Sequence, residues 1–159
     1  MKINRIFIDT NILVHASVAN SDKYPACSKF LDAHQRDGTS LVISGQVIRE
    51  FIRTLTRPQF CEDESIKAEA LRLAEQYSRA YEVLHEDGQV HAHLLKLTRD
   101  FGVRGKQVHD ANIVATMLAH NVPTLATENV RDFQRYGSLI NLINPLELGS
   151  GSKVQHAPI

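Results

Sequence analysis

Four acidic side chains stand where predicted strands end or predicted helices begin. Asp9 closes an apolar run, and Asp110 opens an apolar helix. Glu50 lies on the helix after the second predicted strand, and Asp132 follows the fourth. Two carboxylates about 4 Å apart repel by ~4 kcal/mol at an effective dielectric constant near 20, so a cluster of them takes up protons or binds a cation. Oxygen ligands of this kind suit Mg²⁺ or Mn²⁺ rather than zinc, and such a site supports hydrolysis of a phosphate ester.

Each acid also has a purely structural explanation. Asp9 is a good cap for a helix starting near Asn11, and the helix dipole favours an acid such as Asp110 in a first turn. Glu50 fits a solvated helix edge, and Asp132 fits a capped turn before a short helix. The pattern indicates a common site only if the fold brings these positions together.

The elements that must position these acids alternate along the chain. Apolar β-rich runs predict strands over 3–8, 41–43, 81–84, 123–126 and 139–143. Helical periodicity and capping signals predict helices over 11–18, 24–37, 46–55, 63–80, 87–101 and 108–120. This alternation predicts an α/β fold of three layers, with a mostly parallel sheet covered by helices on both faces. Ligands bind at the carboxyl ends of such strands, where the acids are expected to converge.

Composition narrows the possible classes of protein. The chain has 159 residues, enough for one domain, and 18 basic residues balance 18 acidic ones. A zero net charge excludes nucleic-acid binding by bulk positive charge and leaves self-association open. No apolar run is long enough to cross a membrane and no signal-peptide core is seen, so we expect a cytoplasmic protein. Cys27 and Cys61 form no paired motif, and the Gly/Ser-rich end predicts a flexible tail over 148–159 after one domain over 1–147.

Taken in order, four short motifs resemble those of the PIN-domain ribonucleases. They are Ile8-Asp9-Thr10-Asn11, Ser44 with Glu50-Phe51, His109-Asp110-Ala111, and Thr127-x-Asn129-x-x-Asp132-Phe133. Within these ribonucleases the chain is most similar to the VapC-type toxins of toxin–antitoxin pairs. The resemblance covers roughly residues 1–147.

The resemblance implies a compact α/β/α fold and an endoribonuclease that depends on Mg²⁺ or Mn²⁺. It implies that Asp9 and Asp110 are the principal metal ligands and that Glu50 binds the metal directly or through water. Asp132 matches a fourth catalytic position, although many relatives carry an acid where this chain has Asn129.

Further expectations concern the surroundings of the acids and the partners. Thr10, Asn11 and Asn129 match positions that orient the carboxylates or the attacking water. The resemblance also implies an RNA substrate, cleavage that leaves a 5′-phosphate and a 3′-hydroxyl, a homodimer, and a cognate VapB-type antitoxin whose tail occupies the active-site groove.

Cationic contacts are needed because a carboxylate cluster repels RNA. Arg104 and Lys106 lie in a glycine-flanked turn just before Asp110, where a loop can approach a phosphate backbone closely. We therefore predict that Arg104 and Lys106 bind substrate. Arg53 and Arg57 follow Glu50, and Arg131 precedes Asp132. For each of these arginines taken singly, a solvated surface position is favoured over a substrate contact.

Three alternative functions compete with a toxin ribonuclease. One is an inert PIN-like module that binds RNA, and another is a PIN nuclease acting in RNA or DNA processing outside toxin–antitoxin pairs. A third is a phosphatase of the haloacid dehalogenase type, which also begins with an Asp at a strand end. That phosphatase needs a second acid two residues on, and Asn11 stands there instead.

Overall fold

A computed structural model describes residues 4–59 and 63–148 of the chain. The predicted tail therefore lies outside the described residues apart from its first residue, and Cys61 lies outside them too. Cys27 is a buried free thiol. No helix in the described ranges combines the length and apolar character needed to span a bilayer.

Within the described ranges, five short strands and seven α-helices alternate. The five strands and six of the helices match predicted elements, whereas the last, four-residue helix is additional and is followed by a single turn of 3-10 helix. The strands are β1 (Arg5–Ile8), β2 (Ser40–Ser44), β3 (Glu82–Leu84), β4 (Thr124–Ala126) and β5 (Asn141–Ile143). The helices are α1 (Thr10–Ser17), α2 (Tyr24–Arg36), α3 (Gly45–Leu55), α4 (Glu64–Ala80), α5 (Gly88–Asp100), α6 (Gln107–Ala119) and α7 (Val130–Phe133). Observed bounds differ from the predicted ones by a few residues, because caps such as Asp63 and Asp87 stand just outside the helices they begin.

The sheet is entirely parallel, with strand order β3-β2-β1-β4-β5. The chain builds outward from β1 to β3 on one side, then crosses to β4 and β5 on the other side. The strand order therefore reverses between β1 and β4. In open parallel sheets this switch point is where a crevice forms at the carboxyl ends of the strands.

Helices cover the sheet in two sets, which gives the three-layer α/β/α architecture. Helix α1 contacts α2 and α3, α3 contacts α4, and α5 packs on α6. The strands are buried on both faces, as shown by Phe7, Ile8, Val42 and Ile43, each inaccessible to solvent. Burial of both faces explains why the strands are continuous apolar runs rather than alternating patterns.

Candidate active site

Asp9 stands at the switch point of the sheet. Its backbone N–H donates to the carbonyl of Ala126 in β4 at 3.0 Å, and the N–H of Thr127 donates to Ile143 in β5 at 2.9 Å. Hydrogen bonding between the strands thus continues to the first residue past β1 and past β4. Asp9 is only 6% exposed and also caps α1, since its Oδ1 accepts from the N–H of Thr10 at 2.7 Å. Capping of α1 by Asp9 is therefore compatible with a place for the same side chain in the predicted site.

The second oxygen of Asp9 is held by two side chains. Its Oδ2 accepts from the hydroxyl of Thr127 at 2.7 Å and from the Nδ2 of Asn11 at 3.1 Å. Burial raises the pKa of Asp9 to about 6, and the nearby charge of Glu50 adds to this, although the bonds from Thr127, Thr10 and Asn11 oppose it. The protein thus keeps an acid in a place where its charge is costly, which is typical of functional sites.

Glu50 reaches the same region from α3. Ser44 caps this helix, and an apolar face that includes the buried Phe51 packs it against the core. The carboxylate of Glu50 accepts from the hydroxyl of Thr10 at 3.1 Å through Oε2 and from the Nε2 of Gln46 at 2.9 Å through Oε1. Glu50 is therefore fixed by neutral donors and is not a freely solvated helix residue.

Asp110 lies in the first turn of α6, a helix whose next residues are almost all buried. Burial raises the pKa of Asp110 to about 6, and the charges of Asp9, Asp132 and Glu50 raise it further in that order. The neighbouring His109 acts in the opposite direction. The four acids that the sequence singled out are therefore close enough to influence one another, although their positions span more than 120 residues of chain.

A cleft of about 340 Å³ opens over three of these acids. Its walls combine the acids with polar and basic side chains and one apolar one. The lining residues are Asp9, Thr10, Asn11, Val14, His15, Glu50, Arg53, Thr54, Asp110 and Asn129.

The structure separates the two side chains considered for the fourth position. Asn129 lines the cleft, and its backbone N–H donates to the Thr127 hydroxyl at 3.0 Å. Asp132 lies within α7, is exposed, and is not among the residues that line the cleft. Asp132 is therefore inside the short helix rather than in the turn before it. Its negative charge contributes to the raised pKa of Asp110.

The predicted basic contacts do not share the cleft. Arg104 and Lys106 are exposed in the turn before α6, where Gly102 and Gly105 adopt φ values of +60° and +55°. Arg53, one helical turn after Glu50 on α3, lines the cleft directly. The helical phase of α3 places Arg53 there, so the basic side chain adjoining the acids comes from α3 and not from the glycine turn.

The acids are suited to a divalent cation by their chemistry. None of the four carboxylates forms an ion pair with a Lys, Arg or His of residues 4–59 and 63–148. In the same residues, no group of three or more His, Cys, Asp or Glu is placed so that it could hold a metal ion. The chemistry of the donors still suits Mg²⁺, which binds carboxylate oxygens and takes only one or two of them directly while keeping several waters.

Sequence reasoning missed a polar cluster at the edge of the cleft. His15 contacts the carboxylate of Glu128 at 2.5 Å, and Lys23 also binds this carboxylate. The backbone N–H of Glu128 donates to the Oδ1 of Asn11 at 3.1 Å. The cluster connects α1, α2 and the loop after β4, and its members are too far apart in sequence for spacing to reveal them.

A family model described as "PIN domain" matches residues 6–139. This match covers most of the chain, so the protein belongs to the PIN-domain family, which is a family of nucleases. A search of curated proteins finds no match.

Solved structures of similar fold come from bacterial toxin–antitoxin pairs and related complexes. The chain is similar to VapBC2 from Rickettsia felis bound to a promoter DNA fragment, with 22% identity and a TM-score of 0.66 over 88% of this chain and 98% of that one. It is similar to FitAcB from Neisseria gonorrhoeae, with 18% identity and a TM-score of 0.67 over 90% of this chain and 99% of that one. It is also similar to Mycobacterium tuberculosis VapC20, a toxin that cleaves the Sarcin-Ricin loop, with 18% identity and a TM-score of 0.58 over 76% and 86%.

Proposed function

We propose that this protein is a Mg²⁺- or Mn²⁺-dependent endoribonuclease and the toxin of a type II toxin–antitoxin pair. One observation carries the nuclease proposal. Asp9, Glu50 and Asp110 share one cleft at the switch point of a PIN fold, and no basic side chain of the described residues forms an ion pair with them. A divalent cation would balance these charges at neutral pH.

The side chains divide into two roles in this proposal. Asp9 and Asp110 hold the ion, with Glu50 binding it directly or through water. When bound, a divalent ion supplies an activated water and stabilises charge on the phosphate oxygens. Thr10 and Asn11 fix the carboxylates of Glu50 and Asp9, respectively, through the bonds described above.

The carboxylates also have a proposed part in proton transfer. One of the clustered carboxylates would accept the proton of the water that attacks the phosphodiester in line. Asn129 lines the same cleft and is proposed to position that water, whereas Asp132 supports Asp110 through charge.

Substrate contacts are proposed at two distances from the acids. Arg53 lines the cleft and is placed to bind the phosphate next to the scissile one. Arg104 and Lys106, exposed before α6, are proposed to contact the RNA backbone farther along the strand.

Substitution of Arg53 tests the inner contact. Arg53→Gln removes one phosphate contact and is expected to raise KM for RNA about fivefold to tenfold with little change in kcat. Arg57→Gln is the matched control, since Arg57 is exposed beyond the end of the same helix and does not line the cleft. Steady-state cleavage of a fluorescent oligoribonucleotide measures both constants. Equal KM values for the two variants would show that Arg53 does not contact the substrate.

Toxin function and partners are proposed from the similar structures. VapBC2 and FitAcB are complexes, and VapC20 is an RNA-cleaving toxin. We therefore propose a VapB-type antitoxin as the partner of this chain, a homodimer as its assembly, and the cytoplasm as its location. Coexpression with the neighbouring reading frame, followed by measurement of the mass of the complex, tests the partner and the assembly.

Cleavage with and without metal tests the nuclease proposal. Purified protein is expected to cut RNA with Mn²⁺ present, to stop in EDTA, and to resume when Mn²⁺ is added back. Asp9→Asn, purified in parallel, is the control for contaminating nuclease, and sequencing of the ends is expected to show 5′-phosphates. Cleavage that persists equally in Asp9→Asn would reject the assignment. Absence of both cleavage and Mn²⁺ binding in the wild type would indicate an inert PIN-like module.

A further inference from the structure

The amide of Gln46 is a buried junction between α3 and α6. Gln46 is 5% exposed, and its Nε2 donates both to the Oε1 of Glu50 at 2.9 Å and to the backbone carbonyl of His109 at 3.0 Å. Its Oε1 accepts from the Nδ2 of Asn112 at 2.8 Å. Both N–H donors and the oxygen of the amide are therefore in use.

These three bonds join two parts of the cleft that come from distant segments. Glu50 is one turn after Gln46 on α3, and His109 directly precedes Asp110 on α6. A shift of the Gln46 amide would therefore move the Glu50 carboxylate relative to Asp110. Burial makes this costly, since a lost bond would leave a buried polar group unpaired.

Asn112 holds the oxygen end of the Gln46 amide. Glu50 and the His109 carbonyl only accept hydrogen bonds, so the NH2 of Gln46 faces them and its oxygen faces the Nδ2 of Asn112. A half-turn of the amide would place its oxygen against these two acceptors. Asn112 thus acts on Glu50 without touching it.

We propose that Gln46 and Asn112 form an amide pair that positions Glu50 for metal binding and RNA cleavage. Both are positioning residues rather than catalytic ones, because they act through Glu50. This inference rests on the proposed function and adds two residues that the motifs of the sequence do not contain.

Two substitutions of Asn112, one that adds a negative charge and one that does not, distinguish a positioning role of this side chain from a packing role. Asn112→Asp places an acceptor opposite the Gln46 oxygen, so the amide no longer satisfies all its partners and its bonds to Glu50 and the His109 carbonyl are disturbed. We expect cleavage to fall about 10- to 100-fold and Mn²⁺ affinity to fall about tenfold, the range for residues that orient metal ligands. Asn112→Ala removes the donor without adding this repulsion and is expected to lose less of both. Gln46→Glu places a second carboxylate against that of Glu50. This variant is expected to lose at least as much cleavage and Mn²⁺ affinity as Asn112→Asp.

Calorimetry with Mn²⁺, cleavage rates at saturating Mn²⁺, and thermal unfolding are measured on the full chain. Asn20→Asp and Gln35→Glu are matched controls, because they make the same charge changes at exposed positions of a turn and of α2. If Asn112→Asp and Asn112→Ala bind Mn²⁺ and cleave RNA equally, the amide pair does not position Glu50. If losses follow the unfolding temperature alone across all variants, the pair is structural only and the inference is wrong. A wild type that neither binds Mn²⁺ nor cleaves RNA would instead contradict the proposed function.

Discussion

Asp110→Asn is expected to lower RNA cleavage at least about 100-fold while making the metal-free protein more stable at pH 7.5. Cleavage falls because one of the two principal carboxylates for the ion is lost. Stability rises because the Asp110 carboxylate is destabilising when ionised: burial and the charges of Asp9, Asp132 and Glu50 raise its pKa to about 6. The expected gain is about 1–2 kcal/mol after allowing for partial exposure of the side chain.

The sign of this gain depends on pH. An acid with a raised pKa in the folded state stabilises the fold below its ordinary pKa of 3.8, and this contribution is lost as pH rises through about 6. The difference in unfolding free energy between Asp110→Asn and wild type should therefore be near zero at pH 4 and largest above pH 7. Chemical denaturation in EDTA at both pH values measures it, with Asp22→Asn as an exposed control. A variant less stable than wild type at pH 7.5 would show that Asp110 is a structural acid.

Mn²⁺ binding is expected to weaken about 100-fold between pH 7 and pH 5. Asp9 and Asp110 both have pKa values of about 6, so at pH 5 each is mostly protonated and the proton competes with the ion. The ordinary pKa of 3.8 would leave both ionised over this range and the affinity almost constant.

Calorimetry in two buffers of different ionisation enthalpy tests this coupling. We expect nearly two protons released per Mn²⁺ at pH 5 and few at pH 7.5. In thermal unfolding, Mn²⁺ should raise the wild-type midpoint at pH 7.5 and have little effect at pH 5, with Asp110→Asn insensitive at both. Affinity that does not change with pH would mean that the ion binds away from these two acids.

The fold was accessible to sequence reasoning because its signals are local. Apolar runs, capping residues such as Asp63 and Asp87, and helical periodicity each act within a few residues. A parallel sheet then predicted that Asp9 and Asp110 lie at the same edge, formed by the carboxyl ends of the strands, and this prediction needed no side-chain contacts. The same reasoning could not choose between Asn129 and Asp132, since that choice depends on where α7 begins.

The parts that sequence reasoning missed are bonds between distant side chains. Gln46 bonds the carbonyl of His109, which lies 63 positions away, and the amide of Asn112, which lies 66 positions away. The Thr127 hydroxyl bonds Asp9 across 118 positions. No periodicity or short motif records such pairings. The prediction of Arg104 and Lys106 as substrate contacts stays untested, but the cleft is lined by Arg53, whose placement follows from the helical phase of α3.

The position of the site between β1 and β4 also bears on when the protein gains activity during its synthesis. Asp9 leaves the ribosome early, but Thr127, which bonds its carboxylate, is added 118 residues later. A nascent chain that ends before β4 has β2 beside β1 but lacks both the Ala126 carbonyl and the Thr127 hydroxyl that bond Asp9. The nuclease activity proposed here therefore requires chain through at least Thr127, and products that end before β4 are expected to be inactive.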